Sequence, residues 1–374
     1  MYLSRLEVQS FRNLAPAAFE FNRHKNFIFG DNAQGKTNII EAIYLLCLAK
    51  SFRTREDADL TPFEKEGYLV EGSFISEEQF SHHVGIMYDA NYGKVIKVDG
   101  KKLNQFSKLV GLFPIIVLSV DDYQITSGPP AQRRRFFNVL LSQCSKRYLD
   151  DLKQYDKVLK QRNTVLAELN TNQNKLESLL AVWSEQLSEL GARVMAARAK
   201  MVDELNSYMT NFYAAITNQK WTFRVVYNPN IAFQDTDQIK EKFDQALKRT
   251  RFKEKQRAKT IVGPHRDEFT FFISDNDLRK FGSRGEHKSA LVSLKAAESQ
   301  VLYKRTEIYP ILLLDDLFAE LDRQRSTKVL DLFDPSSQLF ITGTTLDYVG
   351  MRESSDILNN QATFMVKNGA INRV

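Results

Sequence analysis

Residues 26–49 read NFIFGDNAQGKTNIIEAIYLLCLA, an apolar run, a loop bounded by glycines and a second apolar run. The loop from Gly30 to Thr37 has the spacing GxxxxGKT. With a strand before it and a helix after it, this spacing is typical of a phosphate-binding loop. Backbone N–H groups can wrap a polyphosphate only where side chains do not obstruct them, and Gly30 and Gly35 meet that need. The stretch therefore predicts a nucleotide site between a strand and a helix.

The other residues of this loop suit ATP and Mg²⁺. Lys36 places a positive charge at the β- and γ-phosphates, and Thr37 provides an oxygen ligand for the metal. The helix from about Asn38 directs the positive end of its dipole at the anion. The predicted nucleotide-binding residues of the loop are Gly30, Asp31, Asn32, Ala33, Gln34, Gly35, Lys36, Thr37 and Asn38.

Length and composition indicate a large folded protein. A chain of 374 residues exceeds what one hydrophobic core usually supports, so two lobes are expected. The formal charge of +6 permits a polyanionic partner without requiring one. Cys47 and Cys144 build neither a disulfide framework nor a zinc site. The sequence contains no secretory signal and no apolar run of roughly 18 residues, so a cytoplasmic protein without a membrane span is expected.

Alternating apolar and polar residues predict strands at 2–11 and again between residues 67 and 118, with a hairpin turn at Asp99-Gly100. The pattern LxxxxFRNL, from Leu6 to Leu14, places Arg12 and Asn13 at a turn, and an ordinary exposed turn would explain it. His82 and His83 are neighbours in a predicted strand. Their side chains point to opposite faces, which does not favour a shared metal.

Residues 121–138, DDYQITSGPPAQRRRFFN, break this pattern. Gly128-Pro129-Pro130 cannot continue a sheet, and a helix follows. Arg133, Arg134 and Arg135 stand at the start of that helix, where its dipole disfavours positive charge. The three arginines are either a solvated charge run or a contact to a phosphate or an acidic group.

Two long helical patterns come next. Leu152, Leu159 and Leu166 recur every seven residues, and apolar residues recur at spacings of three and four from Leu176 to Phe212. The polar NTNQNK joins the two patterns, which predicts an antiparallel helical hairpin. The heptads would form either core packing within a lobe or an intermolecular coiled coil.

Between this hairpin and the next motif, residues 221–227 predict a strand and residues 235–256 a helix that ends in the basic run KRTRFKEKQR. The run is either a solvated face or a contact to DNA phosphates. Residues 263–273, GPHRDEFTFFI, predict a turn into a strand. Its charged residues would form either an interface cluster or plain turn chemistry.

The stretch ILLLDDLFAELD, residues 311–322, is an apolar strand that ends in two carboxylates. Asp315 would hold Mg²⁺ through water, and Asp316 would face the γ-phosphate and position the attacking water. A further strand at 338–344 carries Thr342 and Thr344 at its end, where either could sense the γ-phosphate. The catalytic residues predicted on this basis are Asp316 and Lys36, and the metal ligands are Thr37 and Asp315.

A second anion site is predicted at the start of another helix, where Ser283, Gly285 and Lys288 occur in FGSRGEHKSALVSLKAAE. One subunit has no use for two such sites on one triphosphate unless another copy supplies the second. The pattern therefore favours a dimer with nucleotide between the two copies.

Taken in order, these motifs resemble those of the ABC-type ATPase heads of SMC-like DNA-repair proteins, and most closely the RecF family. The resemblance covers nearly the whole chain and is carried by LxxxxFRNL, GDNAQGKTN, SGPPAQRRRFFN, GPHRDEF, SRGEHKS and LLLDDLFAELD. It implies that Lys36 and Thr37 are Walker A residues, Asp315 and Asp316 Walker B residues, residues 283–288 the signature acting in trans, and residues 320–322 the D-loop. Departures are Val120-Asp121 before SGPP, Asn138 for a usual Asp, and the charged Arg284, Glu286 and His287 in the signature.

The resemblance implies an α/β P-loop NTPase, an ABC-type ATPase head with a helical second lobe. Lobe I would comprise residues 1–120 and 304–374, and lobe II residues 121–303. The implied function is an ATP-driven homodimer that clamps DNA, duplex or single-strand/double-strand junctions, in recombinational repair and replication-fork maintenance. It would hydrolyse ATP slowly as a switch and act with RecO and RecR, and indirectly RecA, at single-strand gaps. The alternatives are the ATPase of a nuclease-coupled SMC-like complex and, less favoured, a transporter ATPase.

Overall fold

The computed structural model describes residues 1–168, 173–218, 221–316, 328–345 and 361–374. The chain forms two compact units. Unit 1 comprises Met1–Tyr123, Ala214–Gln219 and Leu291–Val374, and unit 2 comprises Gln124–Tyr213 and Lys220–Ala290.

The strands in chain order are β1 (Tyr2–Gln9), β2 (Ala17–Glu20), β3 (Lys25–Phe29), β4 (Gly67–Ile75), β5 (Ser81–Asp89), β6 (Gly93–Val98), β7 (Lys101–Lys102), β8 (Ile115–Leu118), β9 (Phe223–Asn228), β10 (Glu268–Ile273), β11 (Asn276–Asp277), β12 (Ile311–Leu314), β13 (Leu339–Gly343), β14 (Gln361–Lys367) and β15 (Ala370–Arg373). The helices are α1 (Lys36–Leu48), α2 (Tyr123–Ser127), α3 (Pro130–Cys144), α4 (Lys146–Glu168), α5 (Gln173–Thr217), α6 (Ile239–Arg257), α7 (Leu278–Phe281) and α8 (Arg284–Thr306).

Unit 1 contains an antiparallel sheet with the strand order β2-β1-β4-β5-β6-β7. Buried and partly buried residues alternate along β4 without interruption, because one face of this sheet meets the core and the other is partly solvated. The strands predicted at 2–11 and between 67 and 118 are confirmed. The predicted turn at Asp99-Gly100 joins β6 to β7.

The second sheet of unit 1 has the order β15-β14-β3-β13-β12-β8, and its strands from β14 to β8 run parallel. Every residue of β8 and β12 is buried, as parallel strands covered on both faces require. Helix α1 packs against β4 and β5 of the first sheet and against β8 and β13 of the second. The carboxyl ends of β3, β12 and β13 therefore meet at one sheet edge, where α1 begins.

Unit 2 contains the predicted helical hairpin, formed by α4 and α5. Asp151 of α4 pairs with Arg193 of α5 at 3.0 Å, and Arg162 donates to Ser184 Oγ from 3.0 Å, so the two helices run antiparallel. Residues 169–172, which join them, lie outside the described ranges. Leu187 of α5 lies in a buried cluster with residues of α4 and α6, and Leu159 of α4 packs against it, so core packing within this unit accounts for these two leucines.

Two arginines of the α3 triplet contact residues at the start of β10, which belongs to the three-stranded sheet β11-β10-β9 of the same unit. Arg133 is buried and donates to both carboxylate oxygens of Glu268, from 2.7 and 3.1 Å. Arg134 donates to the backbone oxygen of Asp267 from 2.8 Å. The predicted acidic contact is confirmed for Arg133, and it offsets the unfavourable position of this arginine at the helix start.

In the HRD segment at 265–267, Asp267 is the centre of a buried charge cluster within unit 2, whereas Arg266 is exposed. Asp267 is fully buried and accepts from Arg198 of α5 at 2.8 Å.

His82 and His83 have separate acidic partners in unit 1, Asp99 and Glu71. Across the described ranges, none of the helices has the length and apolar content that crossing a bilayer would need.

Candidate nucleotide-binding site

The phosphate loop connects β3 to α1, and both of its glycines are required by its geometry. Gly30 has φ +153°, and a Cβ there would lie 2.3 Å from the backbone oxygen of Val366 in β14. Gly35 has φ +116°, and its Cβ would lie 2.9 Å from Asn13 Oδ1. Both positions exclude larger residues because the backbone conformation and the neighbouring atoms leave no room for a side chain.

Two segments outside the loop hold it in this conformation. Asn13 Nδ2 donates to the Ala33 oxygen from 3.2 Å, and Asn38 Nδ2 donates to Asn13 Oδ1 from 2.6 Å. Gly369, in the turn between β14 and β15, donates its N–H to the Gln34 oxygen from 3.0 Å. The loop is therefore held between the FRNL turn and the C-terminal hairpin. No local sequence pattern indicates that this hairpin contributes to the site.

Helix α1 begins at Lys36 with a bare N-terminus. Its N-cap residue Gly35 offers no side-chain hydrogen bond, and its first turn carries no acidic residue. No capping side chain and no first-turn carboxylate therefore competes with an anion for this helix end and its dipole.

Lys36 is a basic residue, yet it is buried, with 4 % of its surface exposed. Its Nζ donates to the backbone oxygens of Gly30 and Asp31, both from 2.8 Å. An ammonium group has three donors, so two hold the side chain across the loop and one remains for a further acceptor.

Asp315 follows β12 directly and brings together hydroxyls from two other elements. Thr37 of α1 donates to Asp315 Oδ1 from 3.1 Å, and Thr342 of β13 donates to the same oxygen from 2.7 Å. Burial raises the pKa of the Asp315 carboxyl above its ordinary value, the two hydroxyls act in the opposite direction, and nearby Asp316 adds to the rise. A buried carboxylate with oxygen-bearing neighbours is a donor set that suits Mg²⁺.

Asp316 is held in an unusual backbone conformation beside Asp315. Its φ is +51°, and its N–H donates to Thr342 Oγ1 from 2.9 Å. Within the described residues, Asp316 Oδ1 is buried and has no hydrogen-bond partner. Because a buried carboxylate oxygen without a partner is costly, this orphan oxygen fits a position that a bound water or cation completes.

A second cluster consists of charged side chains around Glu41, and no local sequence pattern indicates it. Glu41 of α1 is fully buried, and both of its oxygens accept from Arg12, each at 2.9 Å. Arg53 donates to Asn38 Oδ1 from 2.9 Å and to Glu41 from 3.3 Å. Arg12 thus has a role beyond an ordinary exposed turn, since it fixes the first turns of α1.

The predicted signature residues lie in unit 2, at the start of α8. Ser283 Oγ donates to Glu286 Oε2 from 2.8 Å, and the Ser283 N–H donates to the same oxygen from 2.8 Å. Glu286 therefore completes a capping box, which explains one charged departure from the family pattern. A Cβ at Gly285 would meet no atom within 4 Å. Lys288 belongs to the same helix.

His287, another departure, serves packing in unit 2. It is buried to 3 % exposure, and its Nδ1 lies 2.9 Å from Thr126 Oγ1. Burial lowers its pKa, and nearby Glu286 acts in the opposite direction. The predicted D-loop, residues 320–322, lies outside the described ranges.

Comparisons with known proteins match this chain over almost its whole length. The family model of the RecF/RecN/SMC N-terminal domain matches residues 2–371. The DNA replication and repair protein RecF of Streptococcus thermophilus (strain ATCC BAA-491 / LMD-9) is 36 % identical over 373 residues, which are 99 % of this chain and 98 % of the relative. The chain belongs to the RecF family. The RecF of Exiguobacterium sp. is 33 % identical and covers 99 % of both chains.

Solved structures agree with this assignment. The recombination mediator protein RecF with ATP, in the RecFOR pathway, superposes on this RecF family member with a TM-score of 0.91 at 32 % identity, covering 100 % of this chain and 97 % of the other. An Smc head bound to the C-terminal winged-helix domain of ScpA has a TM-score of 0.57 at 14 % identity, covering 100 % of this chain and 97 % of the other, a likeness of fold alone. The predicted α/β fold of an ABC-type ATPase head is confirmed.

Proposed function

We propose that this chain is an ATP-dependent DNA-binding protein of replication and repair, in which two copies close on ATP and Mg²⁺ and clamp DNA. The observation that carries the proposal is the convergence of Thr37 and Thr342 on Asp315 at the end of the glycine-bounded loop. The names of its relatives and the ATP complex of a RecF with 32 % identity support it.

The loop N–H groups and the N-terminus of α1 would receive the β- and γ-phosphates, and Lys36 would offset their charge. Thr37 and Asp315 would hold Mg²⁺, which supplies charge neutralisation at the phosphates. Asp316 would orient the attacking water through its orphan oxygen. Hydrolysis would be slow and would release DNA, so the weak, DNA-stimulated ATPase acts as a switch.

Ser283, Gly285 and Lys288 of one copy would complete the nucleotide site of the other. The open space at the Gly285 Cβ position supports this role, because a phosphate could approach the backbone there. Residues 320–322 would act as the D-loop of the same interface. The clamped DNA would be duplex or a single-strand/double-strand junction, and RecO, RecR and indirectly RecA would act with the protein in the cytoplasm.

Sedimentation with and without ATP tests the proposal. Lys36→Ala removes a phosphate contact, so the variant should remain monomeric with ATP where the wild type dimerises. Lys50→Ala removes an exposed lysine two residues beyond the end of the same helix and is the matched control, which should dimerise normally. ATP-driven dimers of Lys36→Ala would refute the mechanism. Cleavage of labelled DNA with Mg²⁺ would favour the nuclease-coupled alternative.

A further inference from the structure

The basic run KRTRFKEKQR at the end of α6, residues 248–257, is divided into two sets of cations by its contacts. Arg251 and Lys255 form ion pairs with Glu177 of α5. These two cations attach α6 to α5 and are accounted for by the packing of unit 2.

The remaining cations are turned to solvent. Lys248, Arg249, Lys253 and Arg257 are exposed, and within the described part of the chain none of them forms a hydrogen bond or an ion pair. Phe252 lies among them with 70 % of its surface exposed. We refer to these five residues as the α6 basic face.

Helical geometry makes this face continuous. Arg249, Lys253 and Arg257 are spaced four residues apart, which places them in one row along the helix. Lys248 and Phe252 form the adjacent row at the same spacing. The Phe252 ring therefore lies beside cations three and four residues before it, and the whole set covers one side of the helix.

Nothing within the run balances this charge. The one acidic residue between 248 and 257 is Glu254, which is fully buried and accepts from Arg162 at 2.7 Å. Cations in the last turn of a helix are favoured by its dipole, which explains Arg257. Lys248 and Arg249 lie further from the helix end, where like charges four residues apart destabilise a helix.

An exposed aromatic ring surrounded by cations has the chemistry of a site for single-stranded nucleic acid, in which bases stack on the ring and phosphates meet the cations. We propose that the α6 basic face binds an unpaired DNA strand, with Phe252 stacked on a base. A duplex keeps its base faces stacked inside, so the ring selects the unpaired strand. The inference rests on the proposed DNA-binding function and assigns part of it to unit 2.

The first test is a titration of the full chain, without ATP and at low salt, with a labelled oligothymidine and with a duplex of equal length. Phe252→Ala should bind the oligothymidine about tenfold more weakly and the duplex within about twofold of the wild type. Phe252→Trp should restore binding, and its fluorescence should be quenched on stacking. Phe63→Ala, which removes a fully exposed phenylalanine from unit 1, is the matched control.

The second test measures the salt dependence of the same binding. Arg249→Gln with Lys253→Gln should reduce the slope of log K against log salt by about 1.4, because two phosphate contacts are lost. Lys101→Gln with Lys102→Gln removes the same charge from exposed residues of β7 and should leave the slope unchanged.

Wild-type affinity for oligothymidine in Phe252→Ala, or an unchanged slope in the double variant, would overturn the proposal; an acidic protein surface would then fit the cations better. These measurements use no nucleotide, so they are independent of the ATP-driven dimer. Loss of strand binding with intact dimerisation supports the α6 basic face, whereas loss of dimerisation alone would count against the proposed clamp.

Discussion

Thr342 Oγ1 donates to Asp315 Oδ1 from 2.7 Å, a contact between residues 27 apart in the chain. It forms because β12 and β13 are parallel neighbours, with Leu314 paired to Ile341, so their carboxyl ends lie side by side. Thr37 donates to the same oxygen from the start of α1. One carboxylate thus joins both strands to the phosphate loop, and its charge is buried.

Asp315→Asn should separate folding from metal binding. The raised pKa of Asp315 means that its ionisation opposes folding. The loss of stability develops as pH rises from the unfolded-state pKa towards the folded-state pKa, and it persists at neutral pH. At pH 7 without ATP, the variant should melt on the order of 1–2 °C above the wild type, since the substitution removes a buried charge and keeps an acceptor for both threonines.

Melting curves with ATP and Mg²⁺ complete that test. The wild type should be stabilised by the ligands and the variant should not, because amide oxygens bind Mg²⁺ more weakly than carboxylates. Equal ligand-induced shifts in the two proteins would exclude Asp315 as a metal ligand.

Asp316→Asn should slow ATP hydrolysis about tenfold or more while the ATP-bound dimer persists, since a base-like carboxylate that orients water is lost. Steady-state phosphate release and sedimentation measure the two effects. Asp331→Asn, at an exposed position, is the control and should behave as the wild type. Faster turnover in Asp316→Asn would rule out the water-orienting role.

Gly369→Ala should weaken ATP binding although Gly369 lies in a turn remote in sequence from the loop. Its φ is +76°, and a Cβ would lie 2.0 Å from the Asn13 backbone oxygen, so the turn must shift and lose its bond to Gln34. We expect roughly tenfold weaker binding, corresponding to about 1.4 kcal/mol for a lost hydrogen bond.

Gly100→Ala is a matched control for backbone strain. Gly100 has the same φ of +76°, and nothing lies within 4 Å of its Cβ position. This variant should lose about 1 kcal/mol of stability through backbone strain, without a steric clash, and it should bind ATP normally. Calorimetric titration compares the two, and equal affinities would mean that the C-terminal hairpin does not support the loop.

His265 should make unit 2 sensitive to acid. Burial lowers its pKa to about 4, aided by nearby Arg266 and Arg134, and Tyr155 Oη lies 2.6 Å from its Nδ1. A lowered histidine pKa means that stability is complete above the unfolded pKa of about 6.5 and is lost as pH falls towards the folded value. The loss should approach about 3 kcal/mol by pH 4.

Urea unfolding between pH 7 and 4 measures this loss. His265→Gln cannot take up the proton, so its stability should depend less on pH over the same window. Parallel curves for the two proteins would assign the acid sensitivity to other groups.

Local patterns were sufficient for the elements that carry the nucleotide chemistry. The order strand, GxxxxGKT and helix identifies the loop because glycine spacing and apolar runs are local properties of the chain. The same holds for β12 with its two terminal carboxylates and for the leucine periodicity of α4 and α5. Each of these features depends on residues that are close to one another in the sequence.

Contacts between segments that are distant in sequence could be identified only from the folded structure. Gly369 donates to the oxygen of Gln34, more than 300 residues away in the chain. Arg133 donates to Glu268 of another element. Glu41 accepts from both Arg12 and Arg53. No local pattern marks such pairs, because burial and charge pairing are settled only when separate elements pack together. The sequence determines which residues can bind a phosphate, and tertiary packing decides which backbone and which charges hold them in place.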